Sequence, residues 1–368
     1  MSFPTQPERL LLPKNELVGI QYLRGLAAVM VVIDHLNIGL GLPKYFFSSP
    51  IQTNLHAGAA GVNLFFVVSG FIIGFISLRT TPAGVRPRID VRTFLWRRFA
   101  RIVPFLWVCV ISYAAFRFVG RQGAFGFDEY LRALFLYPIG PVNPSQVWTL
   151  RHELLFYLMF STAILPISCG FWILYLWFLS PFLFFFFSSL EPSNLSELLT
   201  FLFSRFNILF GMGFTLSILH LRTPHFFAQI VPGGMLTCTV ACILYIFLYV
   251  FVDYSHERIP DILIVGSAAT LMLCLGLCVS NQDHGFINRI GKILGDASYS
   301  IYLTHGGFVS AILGISATLF PGNIAVVFLV TLIVVSGLGI LTHYVVEVPL
   351  VRFFQSLPVK RSFAGEVS

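Results

Sequence analysis

Ten stretches of roughly 20 mostly apolar residues follow one another along this chain, at about 20–42, 58–78, 99–119, 147–167, 170–188, 198–219, 228–252, 262–280, 295–319 and 323–346. Each is as long as a helix must be to cross about 30 Å of hydrocarbon. Inside lipid a helix satisfies its own backbone amides, so the segments point to an all-α polytopic membrane helix bundle of about ten transmembrane helices. Composition agrees. With 57% hydrophobic and 11% charged residues, and 40 phenylalanines, the chain carries more apolar surface than a soluble core of 368 residues could hide.

The net charge of +7 would suggest nucleic acid in a soluble protein. In a membrane protein it is first a statement about topology, because loops facing the cytoplasm collect Lys and Arg. Placing the N-terminus inside puts most of the 23 basic residues on the cytoplasmic side, and the loop from Arg79 to Arg101 decides the matter. Both termini are then cytoplasmic, and nucleic acid is not an expected partner. The expected organisation is a cytoplasmic tail over 1–19, one membrane domain over 20–347 and a second cytoplasmic tail over 348–368. The first apolar run is too long for the core of a cleavable signal peptide, so it is expected to stay in the protein. The six cysteines sit in or beside apolar runs with no His or carboxylate next to them; they are read as small packing residues, and no metal site is expected.

Against this apolar background the ionisable residues stand out, because charge inside a bilayer is costly and defaults to function. Arg24 and His35 in the first span are eleven positions apart, which returns them to within about 20° of one helix face, about 16 Å apart along the axis. Asp34 points about 100° away from its neighbour His35, so it is not automatically its partner. In the second span Ser69 and Gly70 interrupt a run of aromatics. Gly70 and Gly74 have the small-xxx-small spacing of a close helix contact, and Ser69 offers a hydroxyl. In "FLWRRFARIVP", Arg97, Arg98 and Arg101 stand within one helical turn, with Pro104 expected to kink the start of the third span. Guanidinium forks in such a cluster suit phosphate as well as generic anchoring to lipid headgroups. "VWTLRHELLFYL" places Glu153 and Tyr157 on one face, and a carboxylate there requires a partner, for which Arg151 and His35 are candidates. Span nine opens with Asp296, Ser298, Tyr299, Tyr302 and His305. Span ten closes with His343 and Glu347 at i, i+4, read as a structural pair.

Taken in order, "YLRGLAAVMVV", "NLFFVVSGF", "RRFARIVP", "WTLRHELLFY", "LGDASYSIYLTH" and "VEVPL" resemble the bacterial acyltransferase family 3, membrane acyltransferases that modify surface and exported polysaccharides. The resemblance covers nearly the whole chain. It implies ten spans in the bacterial cytoplasmic (inner) membrane and transfer of an acyl group, most often acetyl, from cytoplasmic acyl-CoA to a sugar hydroxyl. The acceptor would be an exopolysaccharide, an O-antigen or a lipid-linked precursor. It also implies that His35 is the catalytic candidate and that Arg98 and Arg101 help to hold the donor.

Acyl-CoA is then a donor substrate, and no permanently bound cofactor is expected. Arg24, Arg97 and Ser69 join Arg98 and Arg101 as expected donor-contact residues, and Asp34 or Glu153 is expected to orient the His35 imidazole. His35 would take the proton of the sugar hydroxyl as its oxygen attacks the thioester, or would itself carry the acyl group. Two readings from other classes stay open. A proton-coupled transporter would also bury Asp, His and Glu, but would move substrate without consuming acyl-CoA. A non-catalytic partner of polysaccharide export would tolerate His35→Ala.

Overall fold

A computed structural model of the chain describes residues 17–42, 57–119, 126–188, 197–227, 234–252, 254, 258–279, 285–320 and 322–357. Most of the two expected tails, including Arg9, Lys14, Lys360 and Arg361, lies outside the described residues. The described part is an all-α bundle. Its helices are α1 (Val18–Leu40), α2 (Ala57–Ser77), α3 (Val91–Val119), α4 (Phe127–Leu134), α5 (Trp148–Ile164), α6 (Gly170–Ser188), α7 (Glu197–Leu202), α8 (Phe206–Arg222), α9 (Gly234–Val252), α10 (Ile259–Leu277), α11 (Phe286–Asp296), α12 (Ser298–Leu319), α13 (Ile324–Thr342) and α14 (Val348–Ser356). A helix stands at each of the ten apolar stretches. Among the described residues seven helical segments are long and apolar enough to cross a membrane, and α6 and α9 contain shorter apolar helices.

Several features between the spans go beyond the hydropathy pattern. A short antiparallel hairpin, β1 (Leu78–Thr81) and β2 (Gly84–Pro87), joins α2 to α3, and Gly84 supplies the positive φ of its turn. The third span starts eight residues before its apolar stretch does. Asp90 explains this: its carboxylate accepts from the Thr93 backbone amide at 2.9 Å and the Thr93 hydroxyl at 2.7 Å, capping α3 ahead of the lipid. Pro104 lies inside α3, and the helix continues through it. The ninth stretch is divided at Ala297 between α11 and α12. At the end of α13 a π-helical turn, His343–Glu347, leads into α14, over residues that the sequence assigned partly to the C-terminal tail.

Helices in lipid gain little from hiding apolar side chains from one another, so small residues and close van der Waals contact decide which ones pair. α2 and α8 form the tightest pair. A Cβ at Gly70 would run into the Phe210 carbonyl, and one at Gly213 would run into the Val67 carbonyl. Gly74 is filled by Ser217 in the same way, so the small-xxx-small spacing of α2 is a helix contact. α1 is central and touches α2, α9, α10, α11, α12 and α13. Its Gly19 backs onto Gly276 of α10. A tight turn at 165–169 joins the helices of the fourth and fifth stretches.

Candidate active site

Between α1, α2, α3, α5, α11 and α12 lies a cavity of about 450 Å³. Arg24 enters it from α1, Ser69 from α2, Arg98 and Arg101 from α3, Glu153 and Tyr157 from α5, and Asp296 from the end of α11. Each arrives by ordinary helical spacing. Ser69 faces the cavity because its neighbour Gly70 faces α8, so the two residues have separate roles. Arg98 and Arg101 are one turn apart on α3, whereas Arg97, on another face, does not line the cavity.

The charges there are unevenly satisfied. Arg101 Nη1 is 2.7 Å from Glu347 Oε1, and Glu347 is fully buried. The other oxygen of that carboxylate accepts from Ser300 Oγ at 2.5 Å and from His343 Nδ1 at 2.8 Å. The expected His343–Glu347 pair is thus present, and it also holds Arg101. Arg24 donates to Gln21 Oε1 at 3.1 Å. Arg98 lies over the Phe94 ring, 5.9 Å from its centre. Neither Arg24 nor Arg98 has a carboxylate ion-pair partner among the described residues, so both offer donors to an anion in the cavity.

Glu153 accepts a hydrogen bond from the Tyr157 hydroxyl, as their shared face predicts. Arg151 does not partner it: its guanidinium is buried and donates to the carbonyls of Gly140 at 2.8 Å and Ile139 at 3.5 Å. Arg98, Arg24 and Arg101 line the same cavity as Glu153.

His35 and Asp34 stand outside this cavity. The His35 ring packs edge-on against His305 of α12, with centroids 4.6 Å apart and planes at 74°. His35 Nδ1 is 3.0 Å from the Val31 carbonyl, which can only accept, so Nδ1 carries the hydrogen and Nε2 keeps its lone pair. The group that orients the imidazole is therefore the Val31 carbonyl. This corrects the expectation that Asp34 or Glu153 would do so. Asp34 lies instead against Gly58, where a Cβ would collide with its carboxylate.

Tyr302 links the histidine pair to the cavity, with Phe65 beside it. Both line the cavity, their rings are 5.7 Å apart, and Tyr302 also contacts His305 at 5.8 Å. Hydrogen bonds tie the Tyr302 hydroxyl to Thr149 Oγ1 at 2.8 Å and to the Gln146 carbonyl at 3.1 Å. The sequence offered His305 and Glu347 as members of motifs, but spacing alone could not show that one meets His35 and the other meets Arg101. Among the described residues no cluster of His, Cys, Asp and Glu has the makings of a metal site.

With this geometry in view, comparison with known proteins is informative. The profile of a family described as an acyltransferase domain matches residues 17–343. A relative, the exopolysaccharide production protein ExoZ of Rhizobium meliloti (strain 1021), is 27% identical over 333 residues, which are 84% of this chain and 95% of the relative. No solved structure matches the chain significantly.

Proposed function

This chain belongs to the acyltransferase family, and on that premise we propose that it is an integral-membrane O-acyltransferase that moves an acyl group, acetyl first among them, from cytoplasmic acyl-CoA to a sugar hydroxyl. The acceptor is a surface or exported polysaccharide or its lipid-linked precursor, in keeping with the name of the exopolysaccharide production relative. The observation that carries the reading is the cavity with two guanidiniums, Arg24 and Arg98, that form no ion pair with a carboxylate among the described residues. A polyanionic donor supplies the missing partners. Arg101, held by Glu347, adds a third cation whose position is set beforehand, and Ser69 adds a hydroxyl.

In this scheme the phosphates of the donor meet the arginines, and its thin pantetheine arm carries the thioester past Tyr302 and Phe65 to His35. The proton of the sugar hydroxyl goes to His35 Nε2 while the oxygen bonds to the thioester carbonyl. The C–S bond then breaks, and the leaving sulfur takes the proton back from His35. Glu153 keeps Tyr157 in place and balances the arginines, and Asp34 shapes the start of α2 beside His35.

The test is transfer of labelled acetyl from acetyl-CoA into the glycan fraction of membranes carrying the protein. General-base assistance is worth about 10² to 10⁴ in rate, so His35→Ala at matched expression should leave a trace of activity at most. Equal labelling by both chains would remove His35 from the mechanism. No labelling by the native chain with any acyl-CoA would favour transport or a non-catalytic role in export.

A further inference from the structure

The hairpin that joins α2 to α3 takes no part in the scheme above, yet its charges are not scattered. In β1 and β2 successive side chains point to opposite faces, and residues paired across the strands share a face. Leu78 is buried, and Val85 and Ile89 pack against the apolar core, so the face that carries Leu78, Val85 and Pro87 is turned toward the bundle. Thr80, on that same face, donates its hydroxyl to the Leu221 carbonyl near the end of α8 at 2.7 Å, which ties the ribbon down. The opposite face carries Arg79 and Arg86, which are partners in the register. It also carries Arg88, whose backbone amide donates to the Ser77 carbonyl at 2.8 Å and extends the ladder by one pair. All three arginines are exposed. Among the described residues none of the three forms an ion pair with a carboxylate. Like charges directly opposite one another weaken a strand pair, so this face calls for a counter-charge. The tendency of cytoplasmic loops to collect basic residues accounts for their number, but not for their gathering on one outward face of a folded ribbon.

From this arrangement we propose that the outward face of the hairpin is a docking surface for anionic phospholipid headgroups. α2 ends at Ser77 and the next apolar stretch starts near residue 99, so the ribbon lies where the chain leaves the hydrocarbon. Its inner face is taken up by the bundle, and its outer face meets the headgroup layer. Phosphate oxygens there accept from guanidinium forks in pairs, and a headgroup such as glycerol, which adds no cation of its own, leaves its charge for the arginines. The surface is separate from the cavity, which none of the three arginines lines. A headgroup bound on it steadies the ends of α2 and α3, the helices that bring Ser69, Arg98 and Arg101 to the cavity. The inference rests on the ribbon lying at the membrane surface and not on acyl transfer, so either can fail without the other.

The test reconstitutes the full-length chain into nanodiscs of phosphatidylcholine mixed with phosphatidylglycerol, extracts it in mild detergent and counts the two lipids retained by each chain. The native chain should retain phosphatidylglycerol in preference, and the preference should fade as salt is added. Each of Arg79→Gln, Arg86→Gln and Arg88→Gln should weaken it about 5-fold, the worth of one basic side chain near an anionic surface. Exchange of all three to Lys, which keeps the charge but not the fork, should fall between the native chain and the triple Gln variant. Thermal unfolding in phosphatidylcholine alone should be alike for all of them, which checks the fold. A control with the same change of net charge, Arg222→Gln, Arg289→Gln and Arg352→Gln at other exposed positions, should keep the native preference.

No preference in the native chain, a native preference in the triple Gln variant, or an equal loss in the control would each overturn the inference. A native preference in the triple Gln variant joined to a KM raised for acetyl-CoA, but not for acetyl-dephospho-CoA, would assign these arginines to the donor instead.

Discussion

The arginine-lined cavity and the histidine pair, both touched by Tyr302, solve opposite problems. In the cavity, charge is kept available: Arg24 and Arg98 have no carboxylate partner among the described residues, and Arg101 is held by a carboxylate behind it. At the histidine pair, no charged side chain among the described residues hydrogen-bonds to either ring. Both rings have the hydrogen on Nδ1, donated to a backbone carbonyl, and the ring of Tyr302 packs against His305. The difference teaches that this bundle separates holding an anion from moving a proton. An exposed cation stabilises a phosphate, but the same cation beside a general base would make that base harder to protonate.

The largest test of the contrast is on Glu347, the buried support of the cavity. Removing one partner of a buried ion pair costs about 3–5 kcal/mol, so Glu347→Ala should unfold markedly earlier in a detergent melt than the native chain. Exchange to Gln keeps the Ser300 and His343 neighbours and should cost less. An Ala variant as stable as native would mean that Arg101 is not held by Glu347.

A sharper comparison sets Arg98 against Arg97. Loss of a charged hydrogen-bond donor to phosphate should raise the donor KM of Arg98→Ala by about 10- to 100-fold. Arg97→Ala, whose side chain is outside the cavity, should change KM by less than about two-fold. Equal effects would dissolve the distinction between a donor site and a generally basic face.

The smallest effect lies outside both regions, at the cap of α3. The side-chain hydrogen bond from Thr93, and then its backbone amide, hold the Asp90 carboxyl below the usual carboxylate range. A lowered folded pKa stabilises the fold above the unfolded value and loses that contribution as pH falls through the folded one. Asp90→Ala should therefore cost about 1 kcal/mol at neutral pH, and the difference from native should shrink below about pH 4. A difference that does not change with pH would remove the carboxylate from the cap.

Legibility of the site followed the range of the interaction. Glu153 with Tyr157 and His343 with Glu347 are four residues apart, and helical spacing alone is enough to pair them. The division of labour at Ser69 and Gly70 was legible as two alternatives, and the helix contact at Phe210 assigned one residue to each. The start of α3 differs from the start of its apolar stretch because hydropathy reports where lipid begins, whereas helix onset is set by the Asp90 cap. The carboxylate expected to orient His35 was misassigned for a related reason. A triad-like arrangement calls for a carboxylate, while the Val31 carbonyl, one helical turn back on the same helix, already takes Nδ1.

By itself, the sequence determined that this chain is a bundle of membrane-length helices, which residues in it carry charge, and that the order of its motifs is that of an acyltransferase. Those properties depend on length, hydropathy and local spacing, which are written along the chain. Only the tertiary structure decided that Arg101 meets Glu347, that His35 meets His305, and that Tyr302 touches both the cavity and the histidine pair. Such contacts join helices far apart in sequence. They are set by which small residues let two helices approach, a property of pairs of surfaces that no single segment contains.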